Sequence, residues 1–244
     1  MTAQPFNRFA LPVDDETIVG DTLGPAHQWQ ALFLHGAGQS HRLRQRLLRQ
    51  ELAQSGCGSV AFDFSGHGDS SANSTGSLQK RLRQADCVLA AMRTESALAL
   101  RTIVATSMSG EIALRLACRP GTAIDHVVLI VGAIYDSAAF TVPFGAAFSA
   151  IIRQPQSWRR AATLDLIRSY RGSLTLIRAL DDAVIPHEVA DLLQQAAQAA
   201  RRCRIIDLPD TNHRVSEKMA HDEQLRRRVA AAITLEFEEK DSIA

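Results

Sequence analysis

The sequence has few cysteines and no pattern among them. Cys57, Cys87, Cys118 and Cys203 form no CxxC and no paired spacing. This argues against a disulfide framework or a thiolate zinc site and predicts reduced thiols. Charge of one sign is also missing: 27 Lys and Arg face 26 Asp and Glu, a formal net charge of +1. No field is built that would gather nucleic acid or an anionic membrane. Arginines do cluster, at Arg42, Arg44, Arg46 and Arg49, at Arg201, Arg202 and Arg204, and at Arg226, Arg227 and Arg228. No aromatic residues interleave with them, so the stacking that single-strand binding needs is missing. These runs are expected to be solvated helix faces and strand edges. No apolar stretch approaches about 18 residues, so no membrane span is expected. The first eight residues hold no signal-like apolar stretch, and the expected location is cytoplasmic. The phosphate-loop pattern G-x-x-x-x-G-K-S/T and the glycine spacing of a dinucleotide site are both absent. No internal repeat, low-complexity tract or composition shift marks a second domain. The expectation is one domain over residues 1–244, with no cofactor and no metal.

What is present is a regular alternation of strand and helix patterns. Arg8 to Val13 and Thr17 to Leu23 are short segments separated by Asp14-Asp15, which predicts an antiparallel hairpin at one sheet edge. Ala31–Leu34 is a continuous apolar run expected for a strand covered on both faces, His126–Val131 is expected to be another buried strand, and Ser59–Phe64, Arg101–Thr106, Ser173–Ala179 and Cys203–Leu208 are the remaining expected strands. Between them, apolar residues recur at helical spacing. Leu43, Leu47, Leu48 and Leu52 do so in Ser40–Gln54, with the arginines on the opposite face. Leu78, Leu82, Ala85, Leu89 and Met92 repeat likewise, and helices are expected over 108–118, 187–200 and 218–236. The fold class is therefore α/β: a mostly parallel, eight-stranded sheet with helices on both faces.

Four strand ends carry residues with chemistry. Ala105-Thr106-Ser107-Met108-Ser109-Gly110 follows one strand, Ala179-Leu180-Asp181-Asp182 another, and Pro209-Asp210-Thr211-Asn212-His213 a third. A serine hydroxyl is a weak nucleophile until an adjacent base takes its proton. A carboxylate can hold that base in the right tautomer. Ligands in open α/β sheets bind at these carboxyl ends of the strands. Taken singly, each residue has a plainer reading: Ser107 as a helix cap, His213 as a surface loop histidine, Asp182 as a turn aspartate, with Asp181 a competitor. The turn His35-Gly36-Ala37-Gly38 after a fourth strand adds backbone donors. The N–H groups of Ala37 and Met108 are the natural pair to meet an oxyanion. Together the four sites predict a serine nucleophile, a histidine base and an aspartate that orients it.

These segments resemble the α/β-hydrolase family, over nearly the whole chain. The order Ser, Asp, His is that family's order. His35-Gly36-Ala37-Gly38 resembles its oxyanion turn, and Thr106-Ser107-Met108-Ser109-Gly110 its nucleophile elbow. Asp63-Phe64-Ser65-Gly66-His67-Gly68-Asp69-Ser70 is similar to its D-x-x-G-x-G-x-S loop. Ala179 to Pro186 resembles the G-x-x-D…P acid segment, a register that selects Asp182. Ala105 and Ser109 replace the elbow glycines and Ala179 that of the acid segment; all three are small. The family spans esterases, thioesterases, lipases, amidases, epoxide hydrolases and dehalogenases, and Ser107 disfavours the last two, which carry Asp as nucleophile. The expected function is an acyl-enzyme hydrolase of a carboxylic ester or thioester, with a small to medium apolar acyl group on the reading of the lid segment given below. The alternative is a catalytically silent binding protein on the same fold. Residues 133–172 are expected to form a short lid-like insertion whose Phe144 and Phe148 bind substrate, unless they simply pack on the sheet.

Overall fold

The computed structural model describes residues 4–95 and 100–241. Its strands are β1 (Phe6–Val13), β2 (Glu16–Leu23), β3 (Trp29–Leu34), β4 (Gly58–Phe62), β5 (Thr102–Thr106), β6 (His126–Ile130), β7 (Ser173–Ala179) and β8 (Arg202–Leu208). They form one eight-stranded sheet in the order β1-β2-β4-β3-β5-β6-β7-β8. The β1–β2 hairpin is antiparallel to the rest, and β4, β3, β5, β6, β7 and β8 are mutually parallel. The expected fold class is the observed one.

Strand pleating sends successive side chains to opposite faces, and both faces are apolar. Leu32, Leu34, Ile103, Ala105, Val127 and Leu129 enter one core. Their neighbours Ala31, Phe33, Val104, Val128 and Ile130 enter the other. The first core is covered by α2 (Leu78–Glu95), α3 (Ser109–Ala117) and α6 (Glu188–Ala196), through Val88, Leu89, Ile112, Val189 and Leu193. The second is covered by α1 (Arg46–Gln54), α7 (Val215–His221) and α8 (Glu223–Asp241), through Leu48, Leu52, Met219, Val229 and Ile233. The remaining helices, α4 (Ala146–Ile152) and α5 (Thr163–Leu166), lie between β6 and β7.

Expectations on two segments are corrected. The helix expected over Ser40–Gln54 is a 3-10 turn at Arg42–Gln45 followed by α1. Its leucines do not share one face: Leu48 and Leu52 are buried, but Leu43 and Leu47 are 47% and 42% exposed. The arginines are not all solvated either, since Arg42 and Arg49 are buried. Arg42 bonds the carboxylates of Asp21 and Asp69, each at 2.8 Å, and that of Asp63. Arg49 pairs with the other oxygen of Asp21 and donates to Ser59 Oγ at 2.9 Å. Buried charges persist when paired and hydrogen-bonded in this way, and here the carboxylates come from β2 and from the loop after β4. The second correction is at the C-terminal end, where the single helix expected over 218–236 is two. Asp222 turns extended (φ −116°, ψ 97°) and its carboxylate accepts from Leu225 N–H at 2.9 Å, which starts α8.

The segment between β6 and β7 is tied down at both ends. Gln79 N–H donates to Phe140 O at 3.0 Å and Phe144 N–H to Gly76 O at 2.7 Å, fixing it to the start of α2. The buried Glu111 carboxylate on α3 accepts from Tyr135 N–H at 3.2 Å and Thr163 Oγ at 3.1 Å.

Candidate active site

Ser107 sits at the β5–α3 turn with φ +52°, in the left-handed region that a side chain rarely adopts. Such a residue costs on the order of 1–3 kcal/mol and survives only where its surroundings fix it. Here its N–H donates to Ile130 O at 3.0 Å, while its carbonyl accepts from Gly110 and Ala133 N–H, both at 2.9 Å. Close approach explains the small residues around it. A Cβ on Gly110 would meet Ala133 O at 2.8 Å, and Ser109 is fully buried with its hydroxyl donating to His35 O.

The turn lifts Ser107 toward the loop after β8. Ser107 Oγ lies 3.0 Å from His213 Nε2, and His213 Nδ1 lies 2.8 Å from Asp182 Oδ2. Side chains 106 and 31 positions apart in the chain are thus joined in one hydrogen-bonded row. The second oxygen of Asp182 accepts from Val184 and Ile185 N–H at 2.8 and 3.0 Å. Burial alone pushes the Asp182 carboxyl up, but the bonds from His213 and the two backbone N–H groups outweigh it and hold it below its ordinary value. It is therefore a carboxylate at neutral pH and can only accept from His213 Nδ1, so the imidazole tautomer it favours turns Nε2 to the serine hydroxyl as an acceptor. Asp181, the competitor, is exposed, and its backbone N–H bonds Thr211 O at 2.9 Å.

The turn after β3 packs against this row. A Cβ on Gly36 would lie 3.4 Å from both Ser107 Cβ and Thr106 O. His35 is buried, accepts from Phe64 N–H at Nε2 (3.0 Å) and donates from Nδ1 to Gly36 O (2.8 Å). Burial, with Arg81 close by, keeps that ring well below the ordinary histidine value and hence neutral. The N–H groups of Ala37 and Met108 donate to no protein group among the described residues. Phe144 and Phe148 stack edge-to-face at 4.9 Å between their centroids, with Tyr135 5.9 Å from Phe148. Phe148 is buried and Phe144 half-buried. They are not in the hydrogen-bonded row, but the Arg81 guanidinium lies 5.5 Å from the Phe144 ring and bonds Gly36 O at 3.1 Å, so one side chain bridges the pair and the turn.

Sequence reasoning missed Arg81 and Glu111, which are both buried. The signal for Arg81 was its place in the inward stripe of α2, three residues after Leu78 and four before Ala85. A charge at a core position of an amphipathic helix needs a reason.

The comparisons agree with this architecture. The Hydrolase_4 model, described as serine aminopeptidase, S33, matches residues 25–237. An esterase from Pyrococcus furiosus is similar in structure (TM-score 0.70, 18% identity, covering 95% of this chain and 91% of that one). So are a thioesterase domain from the curacin biosynthetic pathway (0.69, 16%, 94% and 99%) and a monoacylglycerol lipase from Paleococcus ferrophilus (0.67, 17%, 88% and 98%). No curated protein sequence matches the chain. At these identities the solved structures speak for the fold, while the family model speaks for the sequence: the chain belongs to the serine aminopeptidase S33 (Hydrolase_4) family of α/β-hydrolases.

Proposed function

We propose that this hydrolase cleaves a carboxylic ester or thioester of a small to medium apolar acyl group through an acyl-enzyme. The observation that carries the reading is the row Asp182–His213–Ser107, with bonds of 2.8 and 3.0 Å. His213 Nε2 takes the hydroxyl proton as Ser107 Oγ attacks the acyl carbonyl. The carbonyl oxygen becomes an oxyanion held by Ala37 and Met108 N–H. The C–O or C–S bond to the leaving group then breaks, and His213 returns the proton to that group. Water repeats the cycle on the acyl-serine, with His213 again as base. Asp182 stays ionised throughout and balances the imidazolium.

Residues 133–172 act in this reading as a short lid, with Phe144 and Phe148 against the acyl chain. Two observations support it: the segment is pinned to α2 beside the Gly36 turn, and its aromatic pair is linked to that turn through Arg81. The neighbours described as an esterase, a thioesterase domain and a monoacylglycerol lipase fit an acyl substrate, while the family's description as an aminopeptidase makes an amide the comparison to run. The test is a panel of p-nitrophenyl esters, acyl-CoA thioesters and aminoacyl anilides. On p-nitrophenyl esters kcat/KM rises from acetyl to butyryl, by up to roughly fourfold per CH₂ if each contributes the usual 0.8 kcal/mol. Phe144→Ala flattens that rise while leaving the protein folded. A flat profile in the wild type removes the lid from the substrate site, and turnover of anilides alone replaces ester by amide chemistry.

A further inference from the structure

We propose that Arg81 is a positioning residue for the oxyanion: its cation, bonded to Gly36 O, polarises and fixes the Gly36–Ala37 peptide so that Ala37 N–H becomes a stronger donor. The proposal rests on the serine-hydrolase reading above.

Arg81 is 3% exposed and forms no pair with a carboxylate among the described residues. Burying an unpaired charge is expensive, and the buried Arg42 and Arg49 avoid that cost by pairing with carboxylates. Arg81 is held otherwise. Its guanidinium lies 4.6 Å from the Phe64 ring centroid and 5.5 Å from that of Phe144, aromatic faces that attract a cation. Nη2 donates to His67 Nε2 at 2.8 Å, and His67 Nδ1 donates in turn to Ser40 O at 3.0 Å. Nη1 donates to Gly36 O at 3.1 Å. Burial pulls the guanidinium down to about 10, which leaves it charged at neutral pH.

The bond to Gly36 O matters because of what lies at the other end of that peptide. Gly36 C=O and Ala37 N–H belong to one planar amide, and no cis peptide occurs among the described residues, so the two groups point in opposite directions. A cation at the oxygen draws electron density toward it and leaves the distant N–H more positive, and hydrogen-bonded chains strengthen one another in this sense at low dielectric. His35 Nδ1–H donates to the same oxygen at 2.8 Å but is neutral. Two donors therefore fix the plane of the amide, and only Arg81 adds charge. A carboxylate beside Arg81 would cancel that charge, which is the chemical sense in its absence.

The effect belongs to the transition state, because charge on the carbonyl oxygen develops there. Removing an oxyanion donor outright costs about 10²–10³ in kcat, so removing its polarisation is expected to cost about 10-fold. Arg81→Gln keeps an N–H donor without the charge, and Arg81→Lys keeps the charge. With folding checked by circular dichroism and Tm, Arg81→Gln lowers kcat about 10-fold on a p-nitrophenyl ester with little change in KM. It weakens inhibition by an alkyl trifluoromethyl ketone, whose serine adduct carries the oxyanion, by the same factor. Arg81→Lys restores most of both. A residue that merely packs would show its loss in Tm or KM and would gain nothing from lysine. Wild-type kcat in folded Arg81→Gln, a loss confined to KM, or unchanged inhibition by the ketone overturns the proposal. If Arg81→Gln does not fold, Arg81→Lys decides: kcat near the wild-type value supports the proposal, and a full 10-fold loss at unchanged Tm contradicts it. Reaction of the wild type with a fluorophosphonate separates the two levels. A labelled wild type alongside an unaffected Arg81→Gln sinks only the role of Arg81, whereas an unlabelled wild type sinks the serine reading and this inference with it.

Discussion

Ser107→Ala lowers kcat on a p-nitrophenyl acyl ester by a factor on the order of 10⁴ or more, at an unchanged Tm. The size follows from what the hydroxyl does in the proposed reaction. Without it no acyl-enzyme forms, and what remains is water attack on a carbonyl still polarised by Ala37 and Met108 N–H. Folding is spared because the alanine keeps the Cβ, and the backbone bonds that hold the φ +52° turn come from Ile130, Gly110 and Ala133 rather than from the hydroxyl. His213→Ala produces a loss of the same order, since in the proposed reaction serine and base act as one unit, and the double variant loses little more than either single one. Additive losses, each multiplying the other, would mean that the two residues serve separate steps.

Asp182→Asn lowers kcat by about 10⁴, and Asp181→Asn leaves it nearly unchanged. Asp182 Oδ2 accepts from His213 Nδ1, and an amide nitrogen turned toward that position donates instead. The imidazole is then driven to carry its proton on Nε2, where it cannot take one from Ser107. Asp182 also accepts from Val184 and Ile185 N–H, which orient the side chain in either form. Its carboxyl is held below the ordinary value, so its charge is fully present above that ordinary value and is lost only as pH falls through the lowered one. The acid limb of the activity profile should therefore not report Asp182 near neutrality. Asp181 is exposed and contributes a backbone bond to Thr211, which asparagine retains. The opposite ranking in kcat would make Asp181 the acid.

The central strands were legible because they are short, largely apolar runs feeding two cores, a pattern that survives without knowledge of its neighbours, and the β1–β2 hairpin because two short segments flank Asp14-Asp15. Ser107, Asp182 and His213 were legible as three strand-end residues, and their distances required the sheet order that brings the ends of β5, β7 and β8 to one side. The arginines were not legible. Arg42 and Arg49 look like the polar face of a helix, and what buries them are Asp21 and Asp63, partners 21 and 28 positions away in the chain. Periodicity carries no information about such pairs. The leucine stripe was only half right: Leu43 lies in the 3-10 turn at Arg42–Gln45, outside α1, and within α1 the face turned to the core carries Leu48, Arg49 and Leu52 but not Leu47. Arg81 left a faint trace as a charge in an apolar stripe, but its meaning depends on Gly36, 45 positions earlier in the chain.

The central claim is that Ser107 is an activated nucleophile, and covalent capture tests it most directly. Purified protein is treated with a fluorophosphonate, digested, and the adduct located by mass spectrometry. One adduct is expected, on Ser107, absent in Ser107→Ala and strongly slowed in His213→Ala. Folded wild-type protein that stays unmodified, or that carries the adduct on another residue, would contradict it and favour a binding protein on a hydrolase fold.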